Sequence, residues 1–325
     1  MRPAGGSGAG PVRRERTISA EGFTLIEVSS ALLILSIAVI AAYAAFEFLQ
    51  ASFTEQCRVA EVQRNLRDAV EMMSRDIRLA GYGIPGPVNL PAGMLPGGES
   101  AIRNIVPMNR SNAPDDLVVL YAWDKDVGVP PPTLAAAMAA PGDTIRVNNS
   151  AGFSDGDFIL IGNGAAADLF QVNGIPGEGI LPHGGAGVND PSLHDASLPY
   201  VAGDTVSKAR FVRYFIDATD PDHPALALDR MNGVRRPLVG DIEDLQLRYG
   251  LDADGDGVVD TAVDSPGAAQ IPRIRQVRLY VSARTRVRQR GRQEARPALA
   301  DRAAGPPDGF RRRILENHAI DLRNP

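Results

Sequence analysis

One cysteine, Cys57, occurs in 325 residues. An intrachain disulfide is thereby excluded, and stability must come from packing. Aromatic residues make up only 6% of the chain, so the core must be largely aliphatic. Histidine is almost missing: His183, His194, His223 and His318 are scattered without metal-binding spacing. Neither a nucleophile elbow nor a phosphate-cradling glycine loop occurs. These absences argue against an enzyme. Two more coincide in one stretch. Residues 23–80 contain no proline or glycine, and residues 23–46 carry no charged side chain except Glu27.

What is present in that stretch is a helix signal. A run of more than twenty apolar residues is long enough to cross a bilayer. Residues 1–22 before it are Gly-rich and net basic, with Arg2, Arg13, Arg14 and Arg16 against Glu15 and Glu21. By the positive-inside rule that flank stays cytoplasmic and the remainder faces outward. A carboxylate inside such a span costs roughly 2.5–3.5 kcal/mol on insertion scales and is usually paired or functional. Glu27 therefore requires an explanation. An ordinary secretory signal would be cut after the apolar run, and "AYAA" at 42–45 offers a small-residue site for that.

The alternative starts from Gly22. The stretch "GFTLIEV" at 22–28 resembles the cleavage and methylation motif of type IV prepilins and of type II secretion pseudopilins. The resemblance implies that the leader is cut after Gly22, that Phe23 becomes an N-methylated N-terminus, and that Glu27 sets filament register. Physically, a freed α-amino group at a helix N-terminus can pair with a carboxylate from a neighbouring subunit in a low-dielectric setting. A charge that is costly in isolation then becomes a device for axial stagger. The competing account has Glu27 paired within its own chain or protonated in the membrane.

Beyond residue 46 the apolar pattern becomes one-sided. Apolar residues recur at Phe53, Cys57 and Ala60, then Val62, Leu66, Ala69, Val70, Met73 and Ile77, the spacing of one helical face. With no breaker before Gly81, Gly83 and Pro85, the pattern predicts a helix over 23–80, about 87 Å long at 1.5 Å per residue. Its apolar part is 23–46 and its amphipathic part 47–80. Cys57 is expected to pack on the apolar face as a small hydrophobe. Ser29, Ser30 and Ser36 are expected to bond their own helical backbone.

Residues 81–325 read as a loop-rich head. There are 33 Gly and 25 Pro in the chain, and 81–116 shows little periodicity and is read as a long loop. Strands are expected at 116–123, 143–148, 157–162, 169–174, 205–216, 225–230, 242–251 and 274–287, separated by Gly, Pro, Asn and Asp turns that argue for antiparallel sheet. "GD" at Gly142, Gly156 and Gly203 is turn chemistry. The connections 124–141 and 162–202 match nothing and read as possible surface insertions. The fold class is α+β: one long N-terminal helix, apolar then amphipathic, on an antiparallel β-sheet head with long loops.

Several inner blocks extend the resemblance. "MSRDIRLAGYG", "GDFILIG" with "FQVNG", "VGDIEDLQLRYGLDADGDG" and "FRRRILENHAIDLRNP" are similar to those of PilW-type minor pilins. That resemblance implies a subunit that initiates or caps a type IV pilus, with adhesion and twitching motility downstream. Its partners would be other pilins and minor pilins, the prepilin peptidase and the inner-membrane assembly machinery, with membrane lipid before assembly. The expected route runs from the inner membrane, head periplasmic, to a surface fibre. Alternatives are a J-type minor pseudopilin of type II secretion and a membrane-anchored DNA- or surface-binding module that does not polymerise.

Two charged motifs remain. "DADGDGVVD" places Asp252, Asp254, Asp256 and Asp260 at positions 1, 3, 5 and 9 of an EF-hand-like loop, with Gly257 at position 6 and the Val258 carbonyl at position 7. A structural Ca²⁺ is the candidate cofactor. Position 12 is Val263, not Glu, leaving Asp264 as the only substitute; an Asp-Gly hairpin turn between two strands accounts for the same pattern. From 273 to 323 there are fourteen Arg against five acids. Arg284, Arg286, Arg288, Arg290 and Arg292 alternate, so on an extended chain they share one face suited to phosphates and nucleic acid. No aromatic platform interleaves with them, and a solvated edge or contacts to acidic neighbours would use the same stripe.

Overall fold

A computed structural model of the chain describes residues 22–95, 98–122, 132–194, 199–288, 291 and 293–323. Of the leader expected at 1–22, only Gly22 is among them. Trp123, residues 124–131, Arg290 and Arg292 also lie outside the described residues. Helix α1 runs Leu25–Leu79 without a break. Its start follows from Thr24, whose hydroxyl accepts the Glu27 backbone N–H at 3.3 Å, an N-cap that satisfies one of the first-turn donors. Its end follows from Gly81 at φ +79° and Gly83 at φ +71°. A Cβ on Gly83 would stand 2.6 Å from the Ala122 Cβ, so both conformation and space demand glycine there.

The chain divides into two compact units at Gln56/Cys57. In the first, α1 is exposed on every side: Leu25 is 88% and Ile34 68% exposed. Ser29, Ser30 and Ser36 bond the carbonyls of Leu25, Ile26 and Leu32 at 2.7–2.9 Å, the backbone four residues back that a helical serine hydroxyl can reach. In the second unit, α1 buries Val62, Leu66, Ala69, Val70, Met73 and Ile77. Cys57, expected on the buried face, is exposed. The core meets the helix only from Val62 onward, so the apolar positions at Cys57 and Ala60 have nothing packed over them.

The second unit holds fifteen strands among the described residues: β1 (Val88–Asn89), β2 (Ala101–Ile102), β3 (Ile105–Met108), β4 (Asp116–Ala122), β5 (Ile145–Arg146), β6 (Phe158–Gly162), β7 (Ala167–Gln171), β8 (Ile180–Leu181), β9 (Thr205–Asp217), β10 (Ala225–Asp229), β11 (Arg235–Gly240), β12 (Ile242–Leu251), β13 (Thr261–Val263), β14 (Ile274–Arg284) and β15 (Arg312–Asp321). All pairings between them are antiparallel. One sheet runs β11-β10-β9-β4-β3, with β6 also on β9 and β7 on β6; a second runs β13-β12-β14-β15. The α+β class and the antiparallel head are thus as the sequence implies.

Alternation along β4 decides the layering. Leu117, Val119 and Tyr121 join α1, β12 and β14 in one core, while Val118, Leu120 and Ala122 face a second core with Ile84, Leu90, Ile102 and Phe158. Both faces of β4 are buried, which is why its sequence reads as a continuous apolar run.

Residues 81–116, expected as one long loop, contain β1, β2 and β3. These strands are two to four residues long and interrupted by proline, too short to show a period of two. The segment 132–141 is not a surface insertion: Leu134 and Met138 are buried in a third core with Phe170 and Tyr200. Within 162–202 lie β7, β8 and two 3-10 turns. The three "GD" turns share one device, since Asp143, Asp157 and Asp204 each accept the backbone N–H three residues back at 2.7–2.9 Å.

Candidate functional site

The first candidate is the start of α1. Among the described residues, a Cβ added to Gly22 would meet nothing within 4 Å, so no packing there requires glycine. Phe23 is 81% exposed. Thr24 caps the helix, Leu25 opens it, and Glu27 falls at its third position, where a carboxylate also meets the positive end of the helix dipole. No side-chain bond or ion pair of Glu27 occurs among the described residues. The Thr-x-x-Glu spacing of a capping box is present in the sequence and gives Thr24 a role in starting the helix.

The second candidate is the loop joining β12 to β13. Carboxylate oxygens of Asp252, Asp254 and Asp260 lie within 4.8 Å of one another. Asp256 does not join them; its Oδ1 accepts the Val258 N–H at 2.7 Å. Val258 is 62% exposed. Asp264, the possible substitute at position 12, is ion-paired with Arg248 at 2.8 Å, and Val263 lies in β13 opposite Tyr249. Gly255 and Gly257 take φ of +87° and +90°, which only glycine adopts freely.

Asp252 is the pivot of this loop. It is buried and accepts from Gly255 N at 2.6 Å, Gly257 N at 3.1 Å and Arg275 Nε at 3.0 Å. Burial pushes its pKa up, but Arg275 and the two backbone donors outweigh that and hold it below the usual carboxylate value. The flanks are strands, and the loop closes through these bonds together with that from Ala253 N to Asp260 Oδ2 at 2.7 Å. A hard cation wants six to eight oxygens, whereas here three carboxylates converge and one already faces a guanidinium. The donor set does not fit a complete calcium site.

The third candidate is the arginine stripe, of which the described members Arg284, Arg286 and Arg288 do not share one face. β14 ends at Arg284, whose side chain is buried over the Phe310 ring at 4.0 Å, 2.5 Å from the Pro221 carbonyl and 3.9 Å from Glu243. Burial depresses its pKa. Arg286 lies in a bend and is exposed, and Arg288 pairs with Asp222 at 3.0 Å. Further along, Arg296 and Arg302 grip buried Asp244 at 2.8 and 2.6 Å, and Arg312 grips Glu243 at 2.6 Å and also Asp308. Four of the fourteen arginines at the basic end, Arg284, Arg296, Arg302 and Arg312, thus converge on two adjacent carboxylates of β12.

One residue within the block "MSRDIRLAGYG", not singled out there as a site, ties α1 to the strands beside it. Asp76 sits among the buried residues of α1 and accepts from Tyr121 Oη at 2.9 Å, Tyr214 Oη at 2.7 Å and Arg210 Nε at 3.0 Å. Burial, then the Asp76 charge, drives both tyrosine pKa values far upward. A lone acid at helical spacing within an apolar face was the available signal.

Residues 213–324 match the family model described as type IV pilus-assembly protein W. That segment runs from within β9 to beyond β15 and includes the Asp252 loop and the arginine clamps on Glu243 and Asp244. No curated protein and no solved structure matches the chain. The match overlaps two of the blocks that carry the PilW-type resemblance, 239–257 and 310–325, whereas "GFTLIEV" at 22–28 lies outside it.

Proposed function

We propose that this chain is a minor pilin of a type IV pilus. It is made as an inner-membrane precursor, cut after Gly22 by a prepilin peptidase, methylated on Phe23 and drawn into a fibre that it helps to initiate or cap. The observation that carries the reading is the pairing of two features. The C-terminal third matches a pilus-assembly family, and α1 is the one helix among the described residues long and apolar enough to cross a membrane. A role related to the type IV pilus and a membrane-anchoring helix follow directly from those two.

The finer steps rest on residues. A glycine at position 22 that no packing among the described residues requires is accounted for by a peptidase that does. Residues 25–46 of α1 expose apolar side chains all round, which only lipid or neighbouring helices can cover. Their burial would supply the assembly energy and Glu27 would direct it. A type II secretion pseudopilin shares this helix, but the family matched is a pilus one.

The test is the mass of the mature N-terminus from purified chain. A protein that begins at N-methylated Phe23 is expected. One that begins near Ala44 would refute the pilin reading.

A further inference from the structure

Beside residues 63–79 of α1, on the helix-facing side of β15, lies a groove of about 860 Å³. Both walls belong to the second unit. The groove is open because β15 is the last strand of its sheet and, among the described residues, pairs only with β14. Its apolar floor includes Leu66, Val70, Leu79 and Leu315. Along one wall run Gln63, Arg67, Glu71, Ser74 and Arg78, three or four residues apart and hence on one stripe of the helix. Arg75 and Arg323 add to the rim, so four arginines face a single carboxylate in a chain whose net charge is −5.

Two details show that this surface is unfinished. Arg67, Arg78 and Arg323 are exposed, and their side chains make no ion pair among the described residues. Ser74 is 7% exposed and its hydroxyl, in the groove wall, has no hydrogen-bond partner. The edge itself does not invite an added strand. β15 is broken by a bulge between the partners of Leu279 and Val281, with Asn317 at φ +57°, and such irregularity blocks strand pairing.

We infer that this groove is the docking site for an amphipathic helix of another protein chain that presents apolar residues to its floor and carboxylates to its arginine rim. From Gln63 to Leu79 the wall is about 24 Å long, room for about four turns of a helix lying alongside α1. Arg67 and Arg78 are eleven residues apart, three helical turns, so a partner with acids about three turns apart meets both. The inference stands on the groove's residues and does not require the pilus reading.

The experiment uses the full chain in detergent and a fluorescent amphipathic peptide of about 18 residues with Leu on one face and Glu flanking it, read by anisotropy. The acidic peptide is expected to bind, and a version with Lys in place of Glu to bind at least about tenfold more weakly. The double variant Arg67→Glu, Arg78→Glu should reverse that order, a rescue that an unfolded protein could not show. Equal binding of both peptides, or no reversal, overturns the inference. So does displacement of the peptide by dihexanoyl phosphatidylglycerol where the phosphatidylcholine analogue does nothing, which would make the groove a lipid site. Self-association that is lost in the double variant, with no peptide binding by either chain, would overturn it too and assign the groove to a second copy.

Discussion

The Asp76 carboxylate lies 2.7 Å from the Tyr214 hydroxyl, across the boundary between α1 and β9. Tyr121 on β4 and Arg210 on β9 complete its shell, so one helical acid is tied to two neighbouring strands. All three donors point at a group that is 3% exposed. The arrangement fixes both the rotation and the axial position of α1 on the sheet, which apolar contacts alone leave adjustable.

The first prediction concerns that link. Asp76→Ala strands two tyrosine hydroxyls and a guanidinium, and should destabilise the head by about 3–5 kcal/mol, the usual cost of breaking a buried charge network from one side. Tyr214→Phe removes one bond to a charge and should cost about 1.5–3 kcal/mol. Urea unfolding of the full chain in detergent measures both. A loss below about 1 kcal/mol for Asp76→Ala would mean that the network does not hold the helix.

The second prediction is a pH dependence. Asp115 precedes β4, accepts from Arg110 N at 2.7 Å and Leu247 N at 2.8 Å, and joins the two sheets. Burial raises its pKa to about 7, against the lowering effect of those two donors and with a small push from Asp301 and Asp244. The unfolded group titrates near 3.9. Between those values the native chain keeps a proton that the unfolded chain has lost, so the Asp115 contribution falls as pH rises and levels off above about 7. Asp252 and Asp308 are shifted downward and lose their contribution only as pH falls. The clean measurement is therefore wild type against Asp115→Asn. Their stability difference should drift with a slope of up to about 1.4 kcal/mol per pH unit between about pH 4.5 and 7, and parallel curves would refute the assignment.

The third prediction concerns the Asp252 loop. Arg275 sits where a cation would have to compete for Asp252. Replacing it by Gln removes the competing charge and leaves Asp252, Asp254 and Asp260 converging. Arg275→Gln should therefore show a larger Ca²⁺-dependent rise in melting temperature than wild type, and adding Asp254→Ala should abolish it. If Ca²⁺ stabilises wild type as much as Arg275→Gln, the guanidinium is not the obstacle and the loop holds the ion by other oxygens.

How much of this was legible in the sequence depended on the range of the interaction. α1 was visible because residues 23–80 combine a long breaker-free run with a clear change of period, and its ends, Leu25 and Leu79, lie within two residues of that range. β12 was visible at its true bounds because ten residues of strand chemistry sit between turn residues. β15 carries a family resemblance but no strand signal: Glu316 and Asn317 form its bulge, which breaks the alternation. Alternation at 284–292 places side chains on one face only while the chain stays extended, and β14 stops at Arg284. What Arg296, Arg302 and Arg312 bind is set by Glu243 and Asp244, more than fifty residues away. No local pattern encodes such a pairing.

The last prediction separates two roles that Glu27 holds at once. As third residue of a helix capped by Thr24, it favours the start of α1; as a carboxylate in an otherwise uncharged run, it is the proposed partner of the Phe23 amine in a neighbouring subunit. Glutamine also serves at that helical position in capping boxes but carries no charge. Glu27→Gln should therefore leave membrane insertion and helix content unchanged while incorporation into pili, followed by immunoblot of sheared fibres, is lost. Thr24→Ala should do the opposite, weakening the helix start by about 1 kcal/mol with incorporation retained. Normal incorporation of Glu27→Gln would leave Glu27 with the capping role alone, and the register would then have to come from some other contact along the helix.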